Sequence, residues 1–130
     1  MKKVIILIIA VMLLSAGYVF AQEMKTIKGE VIDVSCYVAA GAKGESHKEC
    51  ALACLRAGEP GGILEENTGK VYLVVTEDHT TNPTTKLLPY VAQMVEAKGS
   101  VNERAGISTI DIKEIKELSE TQGVMTEEKK

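Results

Sequence analysis

The stretch VEAKGSVNERAGISTIDIKEI, residues 95–115, decides how the rest of the chain reads. Val95 to Glu103 and Ile107 to Ile115 flank the short connection Arg104-Ala105-Gly106, and Ile110 and Ile112 alternate with polar neighbours. Alternation with a period of two beside a glycine-bearing turn predicts a β-hairpin with one face in the core.

Working upstream, Pro89 suits the first turn of a short helix running to Met94, because a proline there forfeits no helical hydrogen bond. Asp78 to Thr85 is polar and carries the turn signal Asn82-Pro83, which predicts an exposed loop. Ile63-Leu64 and the run Val71 to Val75 enclose Glu65 to Lys70, where Asn67 and Gly69 are turn formers, so a second hairpin is expected. Thr26 to Ser35, with Ile27, Val31, Ile32 and Val34, reads as a partly buried first strand. After that strand, Gly41 and Gly44 mark a loop. A helix is then expected from Ser46, with Glu49 completing a capping box, to a stop near Ala57 set by Gly58 and Pro60.

Five strands, one helix after the first and a short helix before the fourth describe a mainly β protein, and they fit a small barrel better than a sandwich. The order resembles the oligonucleotide/oligosaccharide-binding (OB) barrel as it occurs in small exported bacterial proteins. Lys86 to Ile115 carries the likeness, with a short helix followed by the Lys98-Gly99-Ser100-Val101 and Gly106-Ile107-Ser108-Thr109-Ile110 strands in the places of that family's last two. The resemblance implies a five-stranded OB-like barrel and brings no functional residue with it, since many functions share this fold.

The amino terminus predicts export. Lys2 and Lys3, the apolar run Val4 to Leu14 and the small residue Ala21 follow the order of a secretory signal peptide, with cleavage leaving Gln22 first. The competing reading is an uncleaved anchor, because Val4 to Ala21 approaches the ~20 apolar residues that span a bilayer. The expected organisation is therefore a signal peptide over 1–21, a single OB-like domain over 22–116 and a flexible C-terminal tail over 117–130, in a periplasmic or secreted protein with no membrane span after cleavage.

Without its first 21 residues the chain has 109, with 13 basic and 18 acidic side chains and a net charge of −5. A surface of that sign argues against a nucleic-acid or anionic-lipid binder, which needs clustered positive charge. Trp is absent and the one Phe, Phe20, falls in the signal, so there is little to stack bases upon. The expected partner is a ligand or another envelope protein.

Chemistry concentrates between Cys36 and Cys54. His47, Cys50 and Cys54 are spaced by three and four residues, which places them along one stripe of a helix. Cys36, at the exit of the first strand, is within reach of that stripe if the Gly41/Gly44 loop folds back. Cys36, His47, Cys50 and Cys54 form a Cys3His ligand set suited to zinc in tetrahedral geometry, and also to copper or iron. The same residues serve a plainer purpose if Cys36 is joined to Cys50 or Cys54 by a disulfide, a link worth about 3 kcal/mol from loop closure, which leaves one thiol over. A thiol oxidoreductase is the third class, although no Cys-x-x-Cys is present. His79, beside Asp78, reads as a solvated surface residue. No nucleophile triad, phosphate-cradling loop or catalytic carboxylate pair stands out. The leading expectation is a non-catalytic binding protein with a metal-holding Cys/His cluster; the alternative is a disulfide-braced interaction module.

Overall fold

The computed structural model describes Met1 and residues 22–118. The expected signal segment beyond Met1, and the tail from 119, lie outside the described residues. Among the described residues there are five strands: β1 (Glu23–Asp33), β2 (Gly61–Glu65), β3 (Val71–Val75), β4 (Met94–Arg104) and β5 (Ile107–Glu117). Two α-helices, α1 (Val34–Ala40) and α2 (Lys48–Ala57), lie between β1 and β2, with a 3-10 turn (Glu45–His47) just before α2. A 3-10 helix (Pro83–Tyr90) precedes β4.

The strands close into a barrel in the order β1-β2-β3-β5-β4, with β4 returning to β1. Every ladder is antiparallel except β3 with β5. This order, with helix inserted after the first strand, is consistent with the OB-like small barrel expected from the sequence.

Closure depends on the long β1. Its first half pairs with β4, from Glu23 opposite Val101 to Glu30 opposite Met94, and its second half pairs with β2, from Gly29 opposite Glu65 to Asp33 opposite Gly61. Gly29 sits where the two ladders overlap, and a Cβ there would lie 2.1 Å from the Leu64 carbonyl oxygen. Only a residue without a side chain lets the strands approach so closely. Gly99 does the same for the β4/β5 ladder at a register shift next to Lys98, where a Cβ would lie 2.2 Å from the Asp111 carbonyl oxygen.

Ile27, Val31, Ile63, Tyr72, Val74, Val95, Ala97, Ile110 and Ile112 fill the barrel, and Ala51 and Leu55 of α2 and Leu87 of the 3-10 helix join the same cluster. α2 thus lies against the barrel with one apolar stripe buried and the adjacent stripe free for other chemistry.

Four local expectations are corrected. The first strand stops at Asp33 rather than Ser35, because the Asp33 carboxylate accepts the Ser35 and Cys36 N–H groups and caps a helix there. Ser46 and Glu49 form no capping box; the chain enters α2 through the 3-10 turn, with His47 at the cap position and no side-chain cap bond. Pro83, not Pro89, opens the helix before β4, since Asn82 accepts the Thr84 N–H, and Pro89 stands within that helix near its end. Thr84 is buried, so the polar segment up to Thr85 is not wholly exposed. At the other end, β5 closes with Glu117 paired to Val95, and the Leu118 N–H donates to the Met94 carbonyl at 2.8 Å.

Among the described residues no helix is long and apolar enough to cross a membrane.

Candidate metal centre

Two short helices frame the site. Asp33 occupies the last position of β1 on the face that carries Ile27 and Val31 into the core, and it is 1% exposed. Its Oδ1 accepts the Ser35 N–H at 2.9 Å and the Cys36 N–H at 3.4 Å, which turns the chain directly into α1. Cys36 therefore lies in the first turn of α1, not at a strand exit as its sequence context suggested. Gly41, with φ of 66°, ends α1 in the left-handed conformation and its N–H returns to the Tyr37 carbonyl.

The connection then doubles back so that α2 lies beside α1. Two contacts hold the start of α1 to the segment after α2: the Val34 N–H donates to the Pro60 carbonyl at 3.0 Å, and the Ser35 hydroxyl donates to a Glu59 carboxylate oxygen at 2.5 Å. Gly58, with φ of 103°, stops α2 at Ala57 as expected.

This folding-back groups the expected ligands around Cys36 in two overlapping sets, His47 and Cys50 in one and Cys54 in the other, and does not bring all four to a single point. The sulfurs of Cys36 and Cys50 and an imidazole nitrogen of His47 all lie within 4.8 Å of one another. A carboxylate oxygen of Asp33 and the sulfurs of Cys36 and Cys54 do the same. Cys36 belongs to both. Donor atoms bound tetrahedrally to one ion at about 2.0–2.3 Å stand roughly 3.3–3.8 Å apart, so the donors of either set must draw together to coordinate an ion.

Depth differs between the two sets. Cys50 is exposed and His47 partly buried, so the first set faces solvent, whereas Asp33 anchors the second beneath the surface. Each set also contains a buried polar atom without a hydrogen-bond partner: Nε2 of His47 in the first, Oδ2 of Asp33 in the second. Such atoms are uncommon in folded proteins and call for a physical reason.

The electrostatics centre on Asp33. Its hydrogen bond and proximity push the Cys36 thiol up to about 12, with burial and the carboxylate charge adding to the effect. Cys54 is raised by the same carboxylate and by burial. Burial alone would raise Asp33, yet the Cys36 and Cys54 thiols and the backbone N–H groups of Cys36 and Ser35 hold it below the usual carboxylate range. This arrangement favours an ionised carboxylate beside protonated thiols. That is the reverse of the environment that activates a nucleophilic cysteine.

Comparison with known proteins finds no matching family model, no matching curated protein and no matching solved structure.

All three cysteines are free thiols. His79 lies on the surface outside both sets, and its neighbour Asp78 is engaged with Thr80, through the backbone N–H at 3.0 Å and the hydroxyl at 2.6 Å. Asp33 is the residue the sequence reading passed over. The signal was present in the alternation Ile27, Gly29, Val31, Asp33, which puts an acid on the core-facing side of a strand three residues before a cysteine.

Proposed function

We propose that this chain is an exported, non-catalytic binding protein whose Cys36, His47, Cys50 and Cys54 cluster holds a transition metal, zinc, copper(I) or iron, as a structural brace or for metal handling in the envelope. One observation carries the reading: Cys36, from α1, meets His47 and Cys50, from the start of α2, with all three donor atoms within 4.8 Å of one another. Two sulfurs and an imidazole are soft or borderline ligands, which suit zinc, copper(I) and iron and not calcium or magnesium. Binding deprotonates the thiols, so affinity rises with pH.

Metal analysis of the full chain, purified without chelators and compared with Cys36→Ser and His47→Ala variants, tests this reading. Wild-type protein should retain metal through dialysis and both variants should lose it by tenfold or more. Equal metal content in wild type and Cys36→Ser would remove the site. For export, the amino-terminal residue of material recovered from the cell exterior or periplasm should be Gln22.

The closeness of the Cys36 and Cys54 sulfurs, within 4.8 Å, supports a second reading in which a disulfide joins α1 to α2 and the barrel serves as an interaction module for a ligand or envelope protein. Intact mass of protein isolated without reductant separates the two. A loss of two hydrogens with one titratable thiol means the disulfide, and full thiol mass with bound metal means the cluster.

A further inference from the structure

We propose that the cluster has two metal positions bridged by the Cys36 sulfur, one completed by His47 and Cys50 and the other by Asp33 and Cys54, and that it takes a pair of thiophilic closed-shell ions. The inference rests on the metal-binding reading and goes beyond it in stoichiometry, in the role of Cys36 and in adding Asp33 as a ligand.

Three observations carry it. The donor atoms fall into two triads, each mutually within 4.8 Å, and the single residue common to both is Cys36. A thiolate sulfur has enough lone pairs to bind two ions at once, which makes it the natural donor at such an intersection. Next, the unpartnered buried atoms are shared out one to each triad, Nε2 of His47 and Oδ2 of Asp33. An ion at each position would supply a partner to a group in each triad. Cys50 and Cys54, one from each triad, stand one helical turn apart on α2.

Charge points the same way. Fully loaded, the donors are three thiolates, one carboxylate and a neutral imidazole, four negative charges in a pocket whose Asp33 is 1% exposed. Two divalent ions neutralise this set, whereas two monovalent ions leave it at −2, so charge favours the divalent pair. Loading replaces three S–H bonds by metal–sulfur bonds and passes three protons to solvent.

The test is a titration of reduced, metal-stripped full chain with Zn2+ and, separately and anaerobically, with Cu+, read by native mass spectrometry and by competition with a chromophoric chelator. Two ions per chain are expected in at least one arm, and the arm that reaches two identifies the ion. His47→Ala and Cys54→Ser should each bind one, and Cys36→Ser should bind none with an affinity within 100-fold of wild type. Asp33→Asn keeps a helix-capping side chain, so the fold is retained by circular dichroism, and it should weaken one of the two ions at least tenfold. X-ray absorption on the doubly loaded protein should show a metal–metal vector of roughly 3–4 Å. Saturation at a single ion, or two ions still bound by Cys36→Ser, overturns the bridge while leaving the metal-binding reading intact. No ion bound in either arm overturns both.

Discussion

Asp33 meets Cys36 twice: its Oδ1 accepts the Cys36 backbone N–H at 3.4 Å, and a carboxylate oxygen lies within 4.8 Å of the Cys36 sulfur. One side chain therefore starts the helix that positions the cysteine and sets the charge that the cysteine feels. Cys54 reaches the same carboxylate from a different helix, so β1, α1 and α2 converge on a single buried acid.

In reduced, metal-stripped protein Cys36 should alkylate slowly at pH 8, because its thiol is pushed up to about 12, first by the Asp33 hydrogen bond and then by burial. Asp33→Asn removes the negative charge and the strongest acceptor while preserving the cap. The thiolate fraction at pH 8, and with it the rate of iodoacetamide modification at Cys36, should rise about tenfold for each pH unit by which the pKa falls. Peptide mapping of the alkylated protein measures it; an unchanged rate would mean that the carboxylate does not control the thiol.

Acid sensitivity should trace in part to Asp111, which is 5% exposed in the barrel wall. Burial pulls its carboxyl upward, but Lys113 at 2.8 Å and the Glu77 N–H at 3.4 Å outweigh this and hold it below the usual value of 3.8. A depressed folded-state pKa contributes stability above the unfolded value and loses it as pH falls through the folded one, so the contribution is present at pH 5 and fades below about pH 4. Asp111→Ala should cost about 1–3 kcal/mol at neutral pH, as the Glu77 N–H loses its acceptor, and should flatten the acid limb of the stability curve. Urea denaturation across pH 3–7 provides the comparison.

The β4/β5 hairpin turns on Ala105 and Gly106, with φ of 51° and 80°, the pattern of a type I′ turn in which Asn-Gly is strongly favoured. Alanine pays for its Cβ in this region by roughly 1–2 kcal/mol, and Asn tolerates it better. Ala105→Asn, at an exposed position, should therefore raise stability by about 0.5–1 kcal/mol, visible as a higher melting temperature with no change in metal content.

Gly29→Ala should do the opposite. Its Cβ would meet the Leu64 carbonyl at 2.1 Å, and neither backbone segment can retreat without breaking the β1 pairing with β2 or β4. A loss of about 3 kcal/mol or more is expected, large beside the few kcal/mol by which a domain of this size is stable. Thermal unfolding of the soluble fraction would report it, and a variant as stable as wild type would show that the barrel can relax at this corner.

The two hairpins, the helix stop at Gly58 and the expectation of a five-stranded barrel were legible in the chain because each rests on local patterns: alternation, turn residues and a left-handed glycine. The stripe of His47, Cys50 and Cys54 was legible for the same reason, since helix geometry relates residues a few positions apart without reference to the rest of the fold. Asp33 was harder to see. At the end of a strand an acid reads as solvent-facing unless its register is followed inward, and its capping of α1, which ends β1 two residues early, competes with the β-branched Val34 that made the strand appear to continue.

By itself, then, the order of residues determined the five strands and the helix that stops at Gly58, and that three sulfurs and an imidazole lie within one short region, but not the helix Val34–Ala40. Only the tertiary structure decided that Cys36 stands between two donor triads and that a buried carboxylate belongs to one of them. Such proximity is produced by barrel closure and by the return of α2 onto α1, contacts between distant segments that no local periodicity encodes.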